Sequence, residues 1–265
     1  MSLISHETGI ILKSQREIAQ MREAGRIVAR VIEAITRAVG PGVRTVEFDD
    51  IAVSELGKTG AVASFKGYRG FPASVCTSIN EEIVHGIPGK RVLKEGDIVS
   101  LDFGARLNGF HADAAVTVSV GRIGPGAQAL VNATKAALEA GIAATRAGGR
   151  LGDVSAAIQA CAESRGFSVV REYVGHGIGR DLHEDPQVPN FGVAGEGPLL
   201  QKGMTLALEP MLNAGVWRTR VAPDNWTVST ADGKLSAHFE HTIVVGENGA
   251  EILTQLQGFS EGAVG

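Results

Sequence analysis

Residues 98–120 read IVSLDFGARLNGFHADAAVTVSV, the pattern of a β-hairpin that carries two aspartates. Two runs of mostly apolar or small residues flank Asn108-Gly109, a dipeptide that tolerates the positive φ of a tight turn. With this dipeptide as the loop, Asp102 faces Ala115 and Asp113 lies two places along from Ala115, so both carboxylates project from one face. A slip of one residue would send them to opposite faces. Two like charges this close on a half-buried sheet repel each other and lose hydration, and a cation between them removes both problems.

The composition is that of an ordinary globular protein. The 265-residue chain has 44% hydrophobic and 20% charged residues and a formal net charge of −4. This balance does not indicate the excess of positive charge that would favour binding to nucleic acid or to an anionic membrane. No apolar stretch approaches the roughly 20 residues of a membrane span. Only two cysteines occur and no signal-peptide pattern starts the chain, so we expect a reduced, cytoplasmic protein without a disulfide framework.

Hydrophobic spacing predicts two pairs of helices. The first helix follows a capping box of Ser14 and Glu17 and should end at Gly40-Pro41-Gly42. Further helices are expected at about 45 to 57–60, 127–145 and 153–164, and β-rich segments at 168–174, 204–212, 226–228 and 235–245.

A faint internal repeat relates the two pairs of helices. Segments 36–51 and 145–158 each pass from a helix end through a glycine-containing turn into another helix. We therefore expect one α+β domain over residues 1–265, built from two similar αα-ββ halves whose strands form a shared sheet. Residues 1–13 would be an N-terminal arm and residues 246–265 a C-terminal tail.

Three more places set an acid or an imidazole among glycines or apolar residues. His176 follows a predicted strand in VGHGIGRDLHEDP, and His183 comes seven residues later. Glu209 lies in the β segment LALEPML, and Glu240 lies in SAHFEHTIVV, on the same expected strand face as His238. Taken singly, each has an ordinary explanation, such as a loop histidine satisfied by backbone or a solvent-facing glutamate. The two hairpin aspartates could likewise cap turns or pair with an arginine.

As a set, these residues favour a metal site. Few Lys or Arg residues lie near the four carboxylates, and buried acids must be paired or bind metal. Their charge of −4 is balanced by two divalent ions. Mixed oxygen and imidazole ligands suit Mn, Fe, Co or Zn better than Ca. Two such ions about 3.5–4 Å apart, bridged by water, would generate a hydroxide nucleophile at neutral pH.

The motif series resembles that of the type I methionine aminopeptidases, in the pita-bread (creatinase/aminopeptidase) metallopeptidase family. It comprises NEEIVHGIPG, then LDFGARLNGFHAD with eleven positions from Asp102 to Asp113, then GHGIGRDLHEDP, LALEPML and SAHFEHTIVV. The resemblance extends from the first helix to Val245 and is to the short bacterial form. It implies a pseudo-two-fold α+β fold around a curved antiparallel sheet. It also implies removal of the initiator methionine from nascent polypeptides, with a preference for a small second residue.

The resemblance implies a dinuclear centre that holds two divalent ions, Co, Mn, Fe or Zn. Asp102 would hold the second metal, and His176 and Glu209 would complete the first. Asp113 and Glu240 would bridge both ions.

The resemblance also implies catalytic and substrate-binding roles. Glu209 would relay the proton as general base. His183 would hydrogen-bond the scissile carbonyl or its oxyanion, and His85 would contact the peptide nitrogen and position the substrate. The pocket for the methionine side chain would be formed by Tyr68, Phe71, Cys76 and Trp226. Ordinary core packing is the alternative for these four residues.

Four positions depart from the usual pattern of bacterial relatives. Phe65 and Phe71 fall where Cys and Tyr are frequent, Leu182 where Phe is frequent, and Ala112 replaces a common Gly. These departures leave the chemistry intact and bear on the width of the pocket.

Two other functions remain open from the sequence. One is an Xaa-Pro-type peptidase of the same fold, although such relatives usually carry a further N-terminal domain. The other is a non-catalytic pita-bread protein that binds peptides, although such relatives have lost metal ligands. The expected partners are the N-termini of nascent polypeptides and, through the family's role, the ribosome. Nothing in the sequence requires an oligomer, so we expect a monomer.

Overall fold

The structure is a computed structural model and describes residues 3–4 and 9–255. Its helices are α1 (Gln15–Ala38), α2 (Val46–Leu56), α3 (Pro125–Ala144) and α4 (Leu151–Glu163). Its strands are β1 (Leu3–Ile4), β2 (Ile11–Leu12), β3 (Val62–Ala63), β4 (Cys76–Ile79), β5 (Glu82–Val84), β6 (Ile98–Leu107), β7 (Phe110–Ser119), β8 (Ser168–Val169), β9 (Gly175–Gly177), β10 (Glu184–Val188), β11 (Thr205–Leu208), β12 (Met211–Asn213), β13 (Thr219–Val221), β14 (Val228–Thr230), β15 (Ser236–His238), β16 (Glu240–Val245) and β17 (Ala250–Ile252). Within these described ranges, no helix combines the length and apolar character that a bilayer span requires.

Parts of the expected arm and tail lie outside the described residues, namely 1–2, 5–8 and 256–265. The described part of the arm contains β1 and β2, which pair with each other. The described part of the tail contains β17, which pairs with β16.

The predicted hairpin lies within the main sheet. β6 and β7 pair in the predicted register, so Asp102 faces Ala115, and Asp113 lies two places along β7. Asn108 and Gly109 have φ of 51° and 81°, as a two-residue hairpin turn requires. Within residues 9–255 the sheet has nine strands, in the order β10-β9-β11-β16-β7-β6-β3, with β17 beside β16 and β4 beside β6.

Each half of the fold carries one pair of helices. The predicted capping box of Ser14 and Glu17 starts α1. α1 and α2 share a buried apolar cluster with the hairpin, in which Val31 packs with Phe103. α3 and α4 share a second cluster with strands of the other half, including Leu206 on β11. Burying each such side chain contributes about 1.5–3 kcal/mol, so the helices hold the sheet in place around its acidic strands.

The strands differ from the prediction where the chain leaves the main sheet. Instead of one shared sheet, β15-β12-β8 and β13-β14-β5 form two separate three-stranded sheets. Segment 204–212 is interrupted at Glu209-Pro210 and segment 235–245 at Phe239. Pro210 has no N–H to donate to a strand ladder. Because β15 and β16 lie in different sheets, the expectation that His238 and Glu240 share one strand face is wrong.

Other strands are shorter than expected or shifted. Within segment 168–174 only Ser168–Val169 is a strand, and the strand expected at 226–228 runs from Val228 to Thr230. The helix bounds agree with the prediction to within a few residues.

Candidate active site

All eleven site residues that the sequence singled out line one cavity of about 160 Å³. They are Tyr68, Phe71, Cys76, His85, Asp102, Asp113, His176, His183, Glu209, Trp226 and Glu240. Phe65, Arg69 and Leu182 complete the lining. Strands β6, β7, β9 and β16 each supply an acid or a histidine, so the main sheet forms the polar part of the cavity.

Strand register brings three carboxylates together. Ala115 on β7 faces Asp102 on β6 and Glu240 on β16. These three residues form a row across the sheet and point to the same face. The small side chain of Ala115 leaves room between the two acids, and Asp113 projects from the same face two places along β7. The pairing of β16 with β7 therefore adds a third carboxylate to the pair that the hairpin alone predicts.

A second row brings His176 to the same face. Ala207 on β11 faces His176 on β9 and Thr242 on β16, and Thr242 lies two places from Glu240 on its strand. Close packing of β9 against β10 requires glycine beside the histidine. A β-carbon on Gly177 would lie 2.2 Å from a backbone oxygen of β10.

Asp113, His176 and Glu240 form a candidate metal-binding group. Asp113, His176 and Glu240 each offer a ligand atom, and these atoms lie within 4.8 Å of one another. One carboxylate oxygen on each of Asp102, Asp113 and Glu240 is buried without a hydrogen-bond partner among the described residues. Buried acceptors without partners are destabilising, and a divalent cation would satisfy them. The mixture of carboxylate and imidazole donors fits such an ion.

The pKa values of the acids reflect their burial and their mutual repulsion. Burial raises the pKa of Asp113 to about 7. Burial, followed by repulsion from neighbouring carboxylates, raises the pKa of Asp102, Glu209 and Glu240 well above the usual range. A cation among them would reverse this effect, because an opposite charge favours the ionised form.

His176 is oriented as a neutral ligand. Its Nδ1–H donates to the carbonyl oxygen of Gly177 at 2.8 Å, and Nε2 lies 3.6 Å from a carboxylate oxygen of Glu209. Burial lowers the pKa of His176 to about 3, so the ring is neutral at pH 7 and Nε2 keeps its lone pair.

Glu209 lies at the break between β11 and β12. The Asn190 side-chain amide donates to the backbone oxygen of Glu209 at 3.1 Å, which fixes the chain at this point. His238 Nε2 lies 3.8 Å from the second carboxylate oxygen of Glu209. Sequence reasoning noted His238 only as a neighbour of Glu240.

Two more histidines reach the cavity from loops. The Tyr68 hydroxyl is 2.8 Å from His183 Nδ1, and the rings of His183 and His176 have centroids 4.2 Å apart. His85 has a φ of 61°, and its ring meets Trp226 nearly edge-on. Burial lowers the pKa of His85 to about 4. Burial, aided by a nearby positive charge, also lowers the pKa of His183, so both rings are neutral at pH 7.

The rest of the lining is largely apolar. Phe71 meets the Trp226 ring edge-on with centroids 5.1 Å apart, and both belong to one apolar cluster with Phe65, Cys76 and Leu182. Burial raises the pKa of Cys76, so its side chain is a neutral thiol. Phe65 and Leu182, which depart from the usual family pattern, thus line the cavity beside the expected pocket residues.

Arg69 is the cavity residue that sequence reasoning missed. It follows Tyr68 between two glycines in GYRGF, a pattern that indicates a turn and carries no signal for a binding site.

Comparison with known proteins assigns the family. The sequence matches metallopeptidase family M24 over residues 19–247. The chain belongs to this family. This M24 chain is 53% identical over 247 residues to methionine aminopeptidase 1 of Bacillus subtilis, a match that covers 93% of this chain and 100% of that protein. The predicted resemblance to type I methionine aminopeptidases is confirmed.

Solved structures confirm the predicted pita-bread fold. The methionine aminopeptidase from Thermotoga maritima matches this M24 chain with a TM-score of 0.92 and 48% identity, covering 93% of this chain and 100% of that one. The Xaa-Pro dipeptidase from Bacillus anthracis matches with a TM-score of 0.73 and 24% identity, covering 92% of this chain and 62% of that one. At that lower identity the shared property is the fold, a curved antiparallel sheet with helices.

Proposed function

We propose that this M24 chain hydrolyses the first peptide bond of polypeptides that begin with methionine. The observation that carries the proposal is one cavity that joins a buried acidic metal-type group to an apolar pocket. The acidic group would hold the metal ions needed for hydrolysis, and the apolar pocket would recognise an apolar side chain. High identity to methionine aminopeptidases over nearly the whole chain supports the same activity.

We propose that the acidic group holds two divalent ions. Asp102, Asp113, His176, Glu209 and Glu240 would be the ligands, and four carboxylates balance the charge of two such ions. The donor chemistry suits Co, Mn, Fe or Zn. When bound, the ions would polarise the scissile carbonyl and lower the pKa of water.

The cavity's own side chains would orient the substrate and move the proton. Glu209 would accept a proton from the attacking water, because its position against His176 and His238 keeps it inside the cavity. The Tyr68 hydroxyl lies 2.8 Å from Nδ1 of His183. In the proposed mechanism this hydroxyl would donate to Nδ1, so that Nε2 would carry the proton and donate to the developing oxyanion. His85 would contact the peptide nitrogen.

The methionine side chain would enter the apolar part of the cavity. Tyr68, Phe71, Cys76 and Trp226 offer aromatic edges and a soft thiol, which suit a flexible thioether. The small volume fits one residue and leaves little space for a bulky neighbour, which supports a preference for a small second residue.

The two alternatives are not favoured. The Xaa-Pro dipeptidase shares the fold at 24% identity, and this chain covers 62% of it. A purely peptide-binding role would not explain why carboxylate oxygens of Asp102, Asp113 and Glu240 are buried without a hydrogen-bond partner among the described residues.

The wider setting is also part of the proposal. The chain would act as one catalytic domain, since residues of both halves line the cavity. Nascent chains are its proposed substrates, with the ribosome as a partner, a cytoplasmic location and a monomeric state.

Methionine release from the peptide Met-Ala-Ser tests the proposed function. Chelated protein should be inactive and a divalent ion should restore activity. Asp113→Asn should lower kcat/KM at least about 100-fold, since a proposed metal ligand loses its negative charge. Asp50→Asn, which changes an exposed carboxylate on α2, should leave kcat/KM unchanged. Release that survives rigorous chelation, or faster cleavage of Phe-Pro-Ser than of Met-Ala-Ser, would reject the proposal.

A further inference from the structure

Arg69 is the charged cavity residue that the proposed chemistry does not use. It lies in a short 3₁₀ turn, Tyr68–Gly70, where Gly67 and Gly70 have φ of 84° and 90° and Arg69 itself has φ of 49°. The Gly67 N–H donates to the Phe71 backbone oxygen at 2.8 Å and closes the loop. A non-glycine residue in the left-handed region is uncommon, and this backbone sets the direction in which the Arg69 side chain leaves the loop.

Arg69 stands at the mouth of the cavity. Among the lining residues, Arg69 and His183 are the two with exposed side chains. The Arg69 guanidinium lies 5.4 Å from the centre of the Tyr68 ring, and the Tyr68 ring stacks on His183 with centroids 5.2 Å apart. Its positive charge is the second cause, after burial, of the lowered pKa of His183. Because His183 is proposed to contact the scissile carbonyl, the exposed Arg69 would lie beyond it, towards the outside of the cavity.

The guanidinium has no acidic partner within residues 9–255, where its contact is the face of Tyr68. The other charged side chains of the lining are the four buried acids, whose charge bound metal ions would neutralise. Arg69 would then be the remaining full charge facing the substrate. A guanidinium presents a planar fork of donors that matches a carboxylate.

We propose that Arg69 determines specificity by favouring an acidic residue at the third or fourth position of the substrate. This inference rests on the proposed function and names a substrate class for the same site. An extended peptide advances about 3.3 Å per residue. The two steps, 5.2 Å from His183 to Tyr68 and 5.4 Å from Tyr68 to Arg69, span at most about three residues of such a peptide, so the guanidinium would lie no farther along it than the fourth position.

Paired peptides test the inference. Met-Ala-Asp-Ser-Gly and Met-Ala-Ser-Asp-Gly, both C-terminally amidated, are compared with twins in which Asn replaces Asp. In the metal-loaded protein, the Asp:Asn ratio of kcat/KM should be about two to five at one of the two positions, the size expected of a partly exposed ion pair, and should fall as salt is added. The ratio should be about one in Arg69→Gln, below one in Arg69→Glu and partly kept in Arg69→Lys.

Lys66→Gln is the matched control. Lys66 is an exposed cation three residues earlier that does not line the cavity, so its removal should leave the ratio unchanged. A ratio of one at both positions in the wild type, or a preference that survives in Arg69→Gln, would overturn the inference. If no peptide is cleaved, the proposed function fails instead. Calorimetric affinities of the same pairs then decide the inference, and equal affinities for the Asp and Asn peptides reject it.

Discussion

Glu209 illustrates how one position serves two purposes. It follows the last residue of β11 and precedes Pro210, so it is not part of a strand. Its carboxylate lies between His176 and His238. Asn190 holds the backbone at this point. A residue on a regular strand would have a single preset direction, whereas this break lets Glu209 serve both as proposed ligand and as proposed proton acceptor.

Glu209→Gln should separate these two roles. The amide keeps one oxygen for a metal and cannot accept a proton. We expect kcat for Met-Ala-Ser to fall at least about 100-fold, with a smaller loss in metal affinity. Steady-state kinetics and calorimetric titration with Mn²⁺ check this. A kcat within threefold of the wild-type value would show that Glu209 is not the base.

At the element scale, the loop that carries His183 is held by a buried ion pair. Lys13 and Glu184 form a salt bridge with side chains 3% and 5% exposed. The Glu184 carboxylate also accepts the backbone N–H of Arg180 at 2.8 Å. A segment before α1 and the start of β10 thus fix the loop from both sides.

Lys13→Met should destabilise the protein by about 3–5 kcal/mol, because it leaves a buried carboxylate without its cation. Adding Glu184→Gln should recover more than half of the loss, since Gln still accepts the Arg180 N–H and carries no charge. Urea unfolding measures both variants. Arg37→Met is the control, because Arg37 is exposed on α1 and its partner Glu33 is partly exposed, and such pairs contribute at most about 1 kcal/mol. Equal losses of stability in Lys13→Met and Arg37→Met would contradict the inference that the buried ion pair holds the loop.

The hairpin and the strand breaks show what local sequence can and cannot predict. Asn108-Gly109 and the flanking alternation determine the register, so the pairing of Asp102 with Ala115 could be read from sequence. The breaks at Glu209-Pro210 and Phe239 depend on β12 and β15 pairing with each other in a second sheet. That choice is made by contacts distant in sequence. Arg69 escaped notice because the direction of its side chain depends on the left-handed backbone of one loop.

At the scale of the whole molecule, the acidic group joins the two halves of the chain. Asp102 and Asp113 come from the hairpin of the first half. His176 and Glu240 come from strands of the second half, and Glu209 comes from the break between β11 and β12. Bound metal would therefore stabilise the folded chain as one unit, by about 2.7 kcal/mol when the free ion is at 100 times its Kd.

Without metal, the same acids should make stability depend on pH. Burial raises the pKa of Asp113 to about 7, and the pKa values of Asp102, Glu209 and Glu240 also rise. In the unfolded chain such acids have pKa values of about 4. The folded state thus binds protons more tightly, so this contribution to stability is complete below about pH 4 and is lost as pH rises through the folded values.

The neutral buried histidines act in the opposite sense over pH 5 to 8, because their pKa values are lowered in the folded state. The contribution of Asp113 is therefore measured as a difference: the melting temperature of the chelated wild type, relative to that of chelated Asp113→Asn, should be lower at pH 8 than at pH 5. The Mn²⁺-loaded protein should show the opposite trend, because the ligands must be ionised to bind the ion. Scanning calorimetry across this pH range measures both forms. In Asp113→Asn the amide does not titrate, so this variant lacks the part of the pH dependence that Asp113 supplies. A difference between the two chelated proteins that stays constant from pH 5 to pH 8 would mean that Asp113 does not titrate in this range.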